Sequence, residues 1–354
     1  MTRDLSIMAD VTSRVERVDW PTEPAMPIRC TGRSTCLTRS PASDIMRFEI
    51  PGPVGIPSNP RIRATFRISS HVIETPMEKL VITVAVNGSL PTRKMTPHVP
   101  VTPAEIAETA VKCREAGAGM IHVHARDTQG RPTLDPDVFG EIHAEVTRRS
   151  DLIVQISTGG RADMDAQARG ESVQRLCPEM ASLTTGSVNF PDQVYANPDD
   201  VVEYLAGVMQ EAGTKPEMEI FESGMVANAV RLLEQGLVEA PLHFDFVMGI
   251  RGGQPATPRM LNFLAESIPA GSTWTVAGVA RHQLPMAALA IVMGGHVRVG
   301  LEDNLYYRRG ELATNEQLVA RVARIAEELQ RPVATPDEAR AILGLSVPKG
   351  AESR

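Results

Sequence analysis

Residues 81–127 read VITVAVNGSLPTRKMTPHVPVTPAEIAETAVKCREAGAGMIHVHARD. An apolar, β-branched run (VITVAV, 81–86) gives way to a helical stretch (102–117), then to a second apolar run (GMIHVHA, 119–125). The pattern is strand, helix, strand. Thr102 stands at the N-cap position, Pro103 suits the first helical turn, and Glu105 completes a capping box. The second strand carries His122 and His124 one residue apart. Side chains at i and i+2 of a strand point the same way, so both imidazoles aim at one place. They read as a pair of metal ligands, or more plainly as two polar residues at a strand end.

The alternation continues through the chain. Further strands are expected at 151–157 (DLIVQIS), 181–186 (ASLTTG), 216–223 (PEMEIFES), 243–249 (HFDFVMG), 272–278 (STWTVAG) and 296–300 (HVRVG). Helices are expected over 135–149, near 163–176, over 198–211, and near 224–236, 257–268, 279–293 and 314–330. Eight such units over about 250 residues is the count and size of a (β/α)8 TIM barrel. A doubly wound open sheet would place a Gly-rich turn after the first strand, and Asn87-Gly88-Ser89 is not one. The barrel is expected to fill 77–350. Residues 1–76, rich in Pro, Ser, Arg and Thr, have no sustained periodicity and are expected to be a poorly ordered extension. A start of translation at Met77 is an alternative.

Composition limits the function. Lys+Arg 36 against Asp+Glu 43 gives a net charge of -7, which argues against a general nucleic-acid binder. The longest apolar stretches, such as LPMAALAIVMGG (284–295), are shorter than a membrane span. The N-terminal residues lack the apolar region of a signal peptide. Cys30, Cys36, Cys113 and Cys177 form no close pair, so a reduced, cytoplasmic setting is expected.

Active sites of this fold lie at the C-terminal ends of the strands, and polar residues collect there. They are Asn87, Gly88 and Ser89; His122, His124, Arg126 and Asp127; the STGG run at 157–160; Thr184, Thr185, Ser187 and Asn189; Glu219 and Glu222; Arg251; and Arg298, Glu302 and Asp303. Glu302 offers an oxygen ligand to a metal held by the two histidines, and Glu222 and Glu219 are rivals for that place. Arg298 suits bidentate binding of a substrate carboxylate. His143, His243, His282 and His296 show no partner pattern and read as structural.

HVHARD (122–127), STGG (157–160), LTTGSVNF (183–190) and VRVGLEDN (297–304), in this order and spacing, resemble the β-keto acid cleavage enzymes, which include 3-keto-5-aminohexanoate cleavage enzyme. The resemblance runs from about 81 to 345. It implies a TIM barrel with one divalent metal, usually Zn2+, held by His122, His124 and Glu302. It implies a reaction of a β-keto acid with acetyl-CoA that gives acetoacetate and a shortened acyl-CoA. Ser157, Gly160, Thr185 and Ser187 would contact substrate, and Asn87 and Leu90 are expected substrate-binding residues beside them. Arg298 and Asp303 would complete the catalytic set, with Glu219 as a further acid and Asp303 as the group that moves a proton. The amino-substrate member has an acidic residue after its Asn-Gly-small tripeptide. Here Asn87-Gly88-Ser89 is followed by Leu90, which disfavours an ammonium-bearing substrate. Arg93 and Lys94 offer a place for a second carboxylate instead. CoA phosphates would meet loop arginines such as Arg161 or Arg251. The resemblance also implies a homo-oligomer, a tetramer, with the N-terminal extension as a candidate contact. The alternatives are a metal-dependent aldolase or lyase without CoA, and a non-catalytic metal-binding barrel.

Overall fold

The structure, a computed structural model, describes residues 77–159 and 165–345. The chain divides into two units, Met1–Glu74 and Thr75–Arg354. The expected extension 1–76, with Cys30 and Cys36, lies outside the described residues, as do Gly160 and Arg161.

Eight parallel strands close into a barrel in sequential order. They are β1 (Ile82–Ala85), β2 (Met120–Val123), β3 (Ile153–Ile156), β4 (Met180–Thr184), β5 (Lys215–Ile220), β6 (His243–Met248), β7 (Thr273–Gly278) and β8 (His296–Val299). Strand β8 pairs with β1 through Ile82↔Val297 and Thr83↔Arg298, which seals the ring. Around it run α1 (Pro103–Glu115), α2 (Pro136–Arg149), α3 (Ala166–Leu176), α4 (Asp199–Ala212), α5 (Gly224–Glu234), α6 (Pro258–Ser267), α7 (Gln283–Met293) and α8 (Asn315–Glu328). The TIM-barrel expectation holds, with ends shifted by a few residues. The Thr102–Glu105 capping box opens α1 as expected, and Asp135 caps α2.

Three elements escaped the sequence reading. A hairpin of Val188–Asn189 with Val194–Tyr195 follows β4, and a second of Tyr306–Arg308 with Glu311–Leu312 follows β8. Strands this short carry no readable alternation. The third is α9 (Pro336–Leu343), opened by a Thr335–Glu338 capping box. Its Ala339 and Leu343 pack on Val81, Met120, Ile153 and Met180, which stand at the starts of β1 to β4. Arg340 ties α9 to the barrel by two bonds to Glu179, at 2.6 and 2.8 Å, and one to the Asp151 carbonyl. The amino-terminal end of the barrel is thereby covered by apolar side chains at β1 to β4.

Above this layer the barrel interior is polar. Thr83, His122, Gln155, Glu217, His243, Asp245, Thr275 and Arg298 are all buried there. Bulky aliphatic layers usually fill this space. His243 and His296 have structural partners: His243 contacts Glu217 at 3.1 Å and Thr273 at 2.8 Å, and His296 Nδ1 accepts the Val81 N–H.

Candidate metal centre and active site

Two residues of β2 and its exit supply the imidazoles. His122 is fully buried, and its register neighbours are Ala85 on β1 and Gln155 on β3. His124 follows the end of β2, and Asn87 holds its backbone from β1. The Asn87 amide donates to the His124 carbonyl at 2.8 Å and accepts its N–H at 3.0 Å. With both functions used, Asn87 serves His124 in this structure. Glu302 comes from the turn after β8. Its N–H donates to the Ala85 carbonyl at 3.1 Å, and Asn315 of α8 accepts from Leu301 N–H while donating to the Val86 carbonyl. Gly88, at φ +58°, packs so closely on Glu302 that an added Cβ would stand 2.5 Å from its Cγ.

The ligand atoms converge. His122 Nε2 and His124 Nε2 are 3.2 Å apart, and Glu302 lies 3.2 Å from His124 and 3.6 Å from His122. Among the described residues, these three form the one group of His, Cys, Asp or Glu arranged to hold a metal ion. The donor set fits a divalent cation on two grounds. The Gln155 amide oxygen can only accept, so His122 carries its proton on Nδ1 and turns the Nε2 lone pair toward Glu302. Glu302 Oε2 is buried with no hydrogen-bond partner, which an apo arrangement would not tolerate cheaply. Burial pushes the His122 pKa down to about 4, so the ring is neutral as a ligand must be. Burial also pushes the Glu302 carboxyl up, but His124 and Arg298 outweigh it and hold the group well below the usual range. Glu222 is exposed, and Glu219 bonds Thr184 and stands outside the ligand group.

Arg298, buried on β8, gathers the acids. Its Nε and Nη2 bond Asp303 at 3.0 and 3.2 Å, and Nη2 also bonds Glu302 at 2.7 Å. Its Nη1 lies 3.4 Å from Asp245 and 3.7 Å from Glu219. The guanidinium is thus occupied by protein carboxylates, where the sequence suggested a substrate carboxylate. Burial raises the pKa of Asp303 against the pull of Arg298, and burial likewise raises Glu219. Glu219 Oε2 accepts from Thr184 at 2.5 Å. A carboxylate that holds a proton more tightly than an exposed one is what such an environment produces, and such groups suit proton transfer.

The other expected contact residues are spread around this centre. Ser157 is buried, and its Oγ accepts from Gly159 N–H. Thr185 donates to the Met225 carbonyl, and exposed Ser187 accepts from Asn197 N–H. Leu90 is 76% exposed, beyond Gly88. Arg93 is bound to both oxygens of Glu105, at 2.6 and 2.7 Å. Arg251 is exposed on the loop after β6.

Sequence reasoning passed over Gln155, Tyr195 and Asn315. The Tyr195 hydroxyl sits near Gly159 and bonds Arg169 at 3.0 Å. The only signal for Gln155 is a polar residue inside the apolar run IVQI, and its meaning needs the β2–β3 register.

Residues 79–345 match the model of the beta-keto acid cleavage enzyme family. The chain belongs to that family. As a β-keto acid cleavage enzyme it is a C–C-bond-cleaving acyltransferase, and the reading as a non-catalytic metal-binding barrel falls. It is 49% identical over 272 residues to the 3-keto-5-aminohexanoate cleavage enzyme of Fusobacterium nucleatum, covering 76% of this chain and 99% of that protein. It is 42% identical over 270 residues to the 3-oxoadipate:acetyl-CoA acetyltransferase of Cupriavidus necator, covering 75% and 94%. Among solved structures, apo ObcA matches with a TM-score of 0.63 at 21% identity, over 71% of this chain and 66% of that one. That likeness concerns the fold. No helix among the described residues is long and apolar enough to cross a membrane.

Proposed function

We propose that this β-keto acid cleavage enzyme uses Zn2+ and acetyl-CoA, and that its β-keto acid bears no amino group. The observation that carries the reading is the convergence of two imidazoles and one carboxylate beside the Arg298–Asp303 pair. Two nitrogens and an oxygen with room for substrate is the donor set of a catalytic zinc site. When bound, zinc polarises the 3-oxo group and offsets developing negative charge.

The chain's own residues then do the following. Asp303 takes a proton from C2 of the β-keto acid, and Arg298 holds the carboxyl in position. The C2 carbanion attacks the acetyl thioester carbon, and the C–S bond breaks. The released CoA thiolate adds to the former 3-oxo carbon, and the C2–C3 bond breaks. Asp303 returns its proton to C2, which leaves acetoacetate and the CoA thioester of the shortened acid. Glu219 makes a second proton movement, supported by its burial, which raises its pKa, and by its bond from Thr184. Ser157, Thr185 and Ser187 contact the substrate, and the family motif adds Gly160, which lies outside the described residues. The protein acts as a homo-oligomer, a tetramer, in the cytoplasm.

Leu90 supports the substrate class. An ammonium beside it gains no carboxylate partner. Relatives of comparable identity carry names for different β-keto acids, so identity alone does not choose. Arg93 is engaged by Glu105 and weighs against a dicarboxylate.

The test is turnover of the zinc-loaded protein with acetyl-CoA and a panel of neutral, ammonium-bearing and dicarboxylic β-keto acids. Acetoacetate formed only when both substrates are present is the expected result. Cleavage without acetyl-CoA would replace this reading with the aldolase one.

A further inference from the structure

Arg126 lies just beyond His124, and its residue is 4% exposed. Its Nη2 donates to the carbonyls of Asn87 (3.2 Å), Gly88 and Pro91 (2.8 Å), and its Nη1 to that of Gly130 (2.9 Å). Its Nε has no hydrogen-bond partner. Among the described residues, no carboxylate lies within 4.0 Å of this guanidinium. A buried charge served only by carbonyls is expensive, and ordinary packing needs none. Three of these four bonds go to one loop, 87–91, and the fourth ties that loop to Gly130 in the segment after β2. That loop holds His124 through Asn87 and abuts Glu302 through Gly88, and it carries Leu90 outward.

We propose that Arg126 is a positioning residue for substrate choice: it fixes the loop 87–91 against Glu302 and so sets where Leu90 meets the substrate. This rests on the proposed function, in which Leu90 faces the variable part of the β-keto acid. A lysine cannot reproduce the effect, because its single ammonium cannot span four carbonyls in a fixed fork.

The experiment compares Arg126→Lys and Arg126→Met with the parent full-length protein, in two readouts. The first is amide hydrogen exchange of residues 87–95, which needs no substrate. It is expected to speed up by about tenfold or more in both variants, with the barrel strands unchanged. The second is kcat and KM across the β-keto acid panel. KM for the preferred acid is expected to rise by about tenfold with a smaller change in kcat, and the preference among acids to shrink. Leu90→Ala should alter preference in the parent but not in the Arg126→Met background. Unchanged loop exchange, or a uniform loss of kcat with preference retained, overturns the proposal. If Arg126→Met does not fold, Arg126→Lys decides. If the parent turns over no acid, the functional reading fails and the exchange result still judges the positioning role.

Discussion

Gln155 accepts the Nδ1 proton of His122 at 2.5 Å, from the neighbouring strand and at the matching register. This bond decides which imidazole nitrogen is free, and it does so from a side chain that is not itself in the ligand group. Gln155→Leu should therefore weaken metal binding by about 10–100-fold, the usual cost of losing such a partner. Chelator competition with the purified protein measures it. Parent-like affinity in a folded variant would remove Gln155 from the account.

Asp303 and Arg298 form the proton-moving pair of the proposed reaction. Asp303→Asn keeps the shape and can still bond Arg298, but it cannot take a proton. Turnover should drop by about 10²–10⁴-fold, with metal content as in the parent. Metal analysis beside the kinetic assay separates the two effects. A variant that retains its rate would assign the base elsewhere, with Glu219 next in line.

Leu90→Glu should open the site to an ammonium-bearing β-keto acid. The new carboxylate replaces the hydration that the ammonium loses. The ratio of kcat/KM for amino over neutral substrates should rise by about 10–100-fold. An unchanged ratio would mean that this loop does not reach the substrate.

The metal-free protein should lose stability as pH falls below neutrality. Burial holds His122 neutral down to about 4 from 6.5. Burial, with the charges of His243 and Arg331, also pushes His296 well below 6.5. The unfolded chain takes these protons first, so stability is full above 6.5 and declines as pH falls toward about 4. Urea midpoints at about pH 7.5 and about pH 5 measure the decline. His296→Asn keeps an acceptor for Val81 N–H and should flatten the slope. A slope equal to the parent's would exclude His296 as a source.

The barrel was legible because each unit announces itself. VITVAV is too apolar and β-branched for anything but a buried strand, and Thr102-Pro103-x-Glu105 marks a helix start at one position. His122 and His124 were legible because i and i+2 share a face whatever surrounds them. Gln155 was not, since its meaning comes from lying beside His122 across a strand pair that sequence spacing does not specify. Arg298 was seen with Glu302 and Asp303 but not with Asp245: β8 alone does not reveal that Asp245, on β6 two strands earlier, shares its guanidinium. Helix α9 was missed because eight residues show little more than two turns, although Thr335-Pro336-x-Glu338 repeats the signature that located α1.

The cover formed by α9 has a consequence for traffic. With Val81, Met120, Ile153 and Met180 packed against Leu343, the starts of β1 to β4 are covered, and among the described residues the metal centre faces the opposite mouth. Both reactants enter and both products leave through that mouth. A product that lingers there excludes the next substrate, so acetoacetate should inhibit in competition with the β-keto acid it replaces.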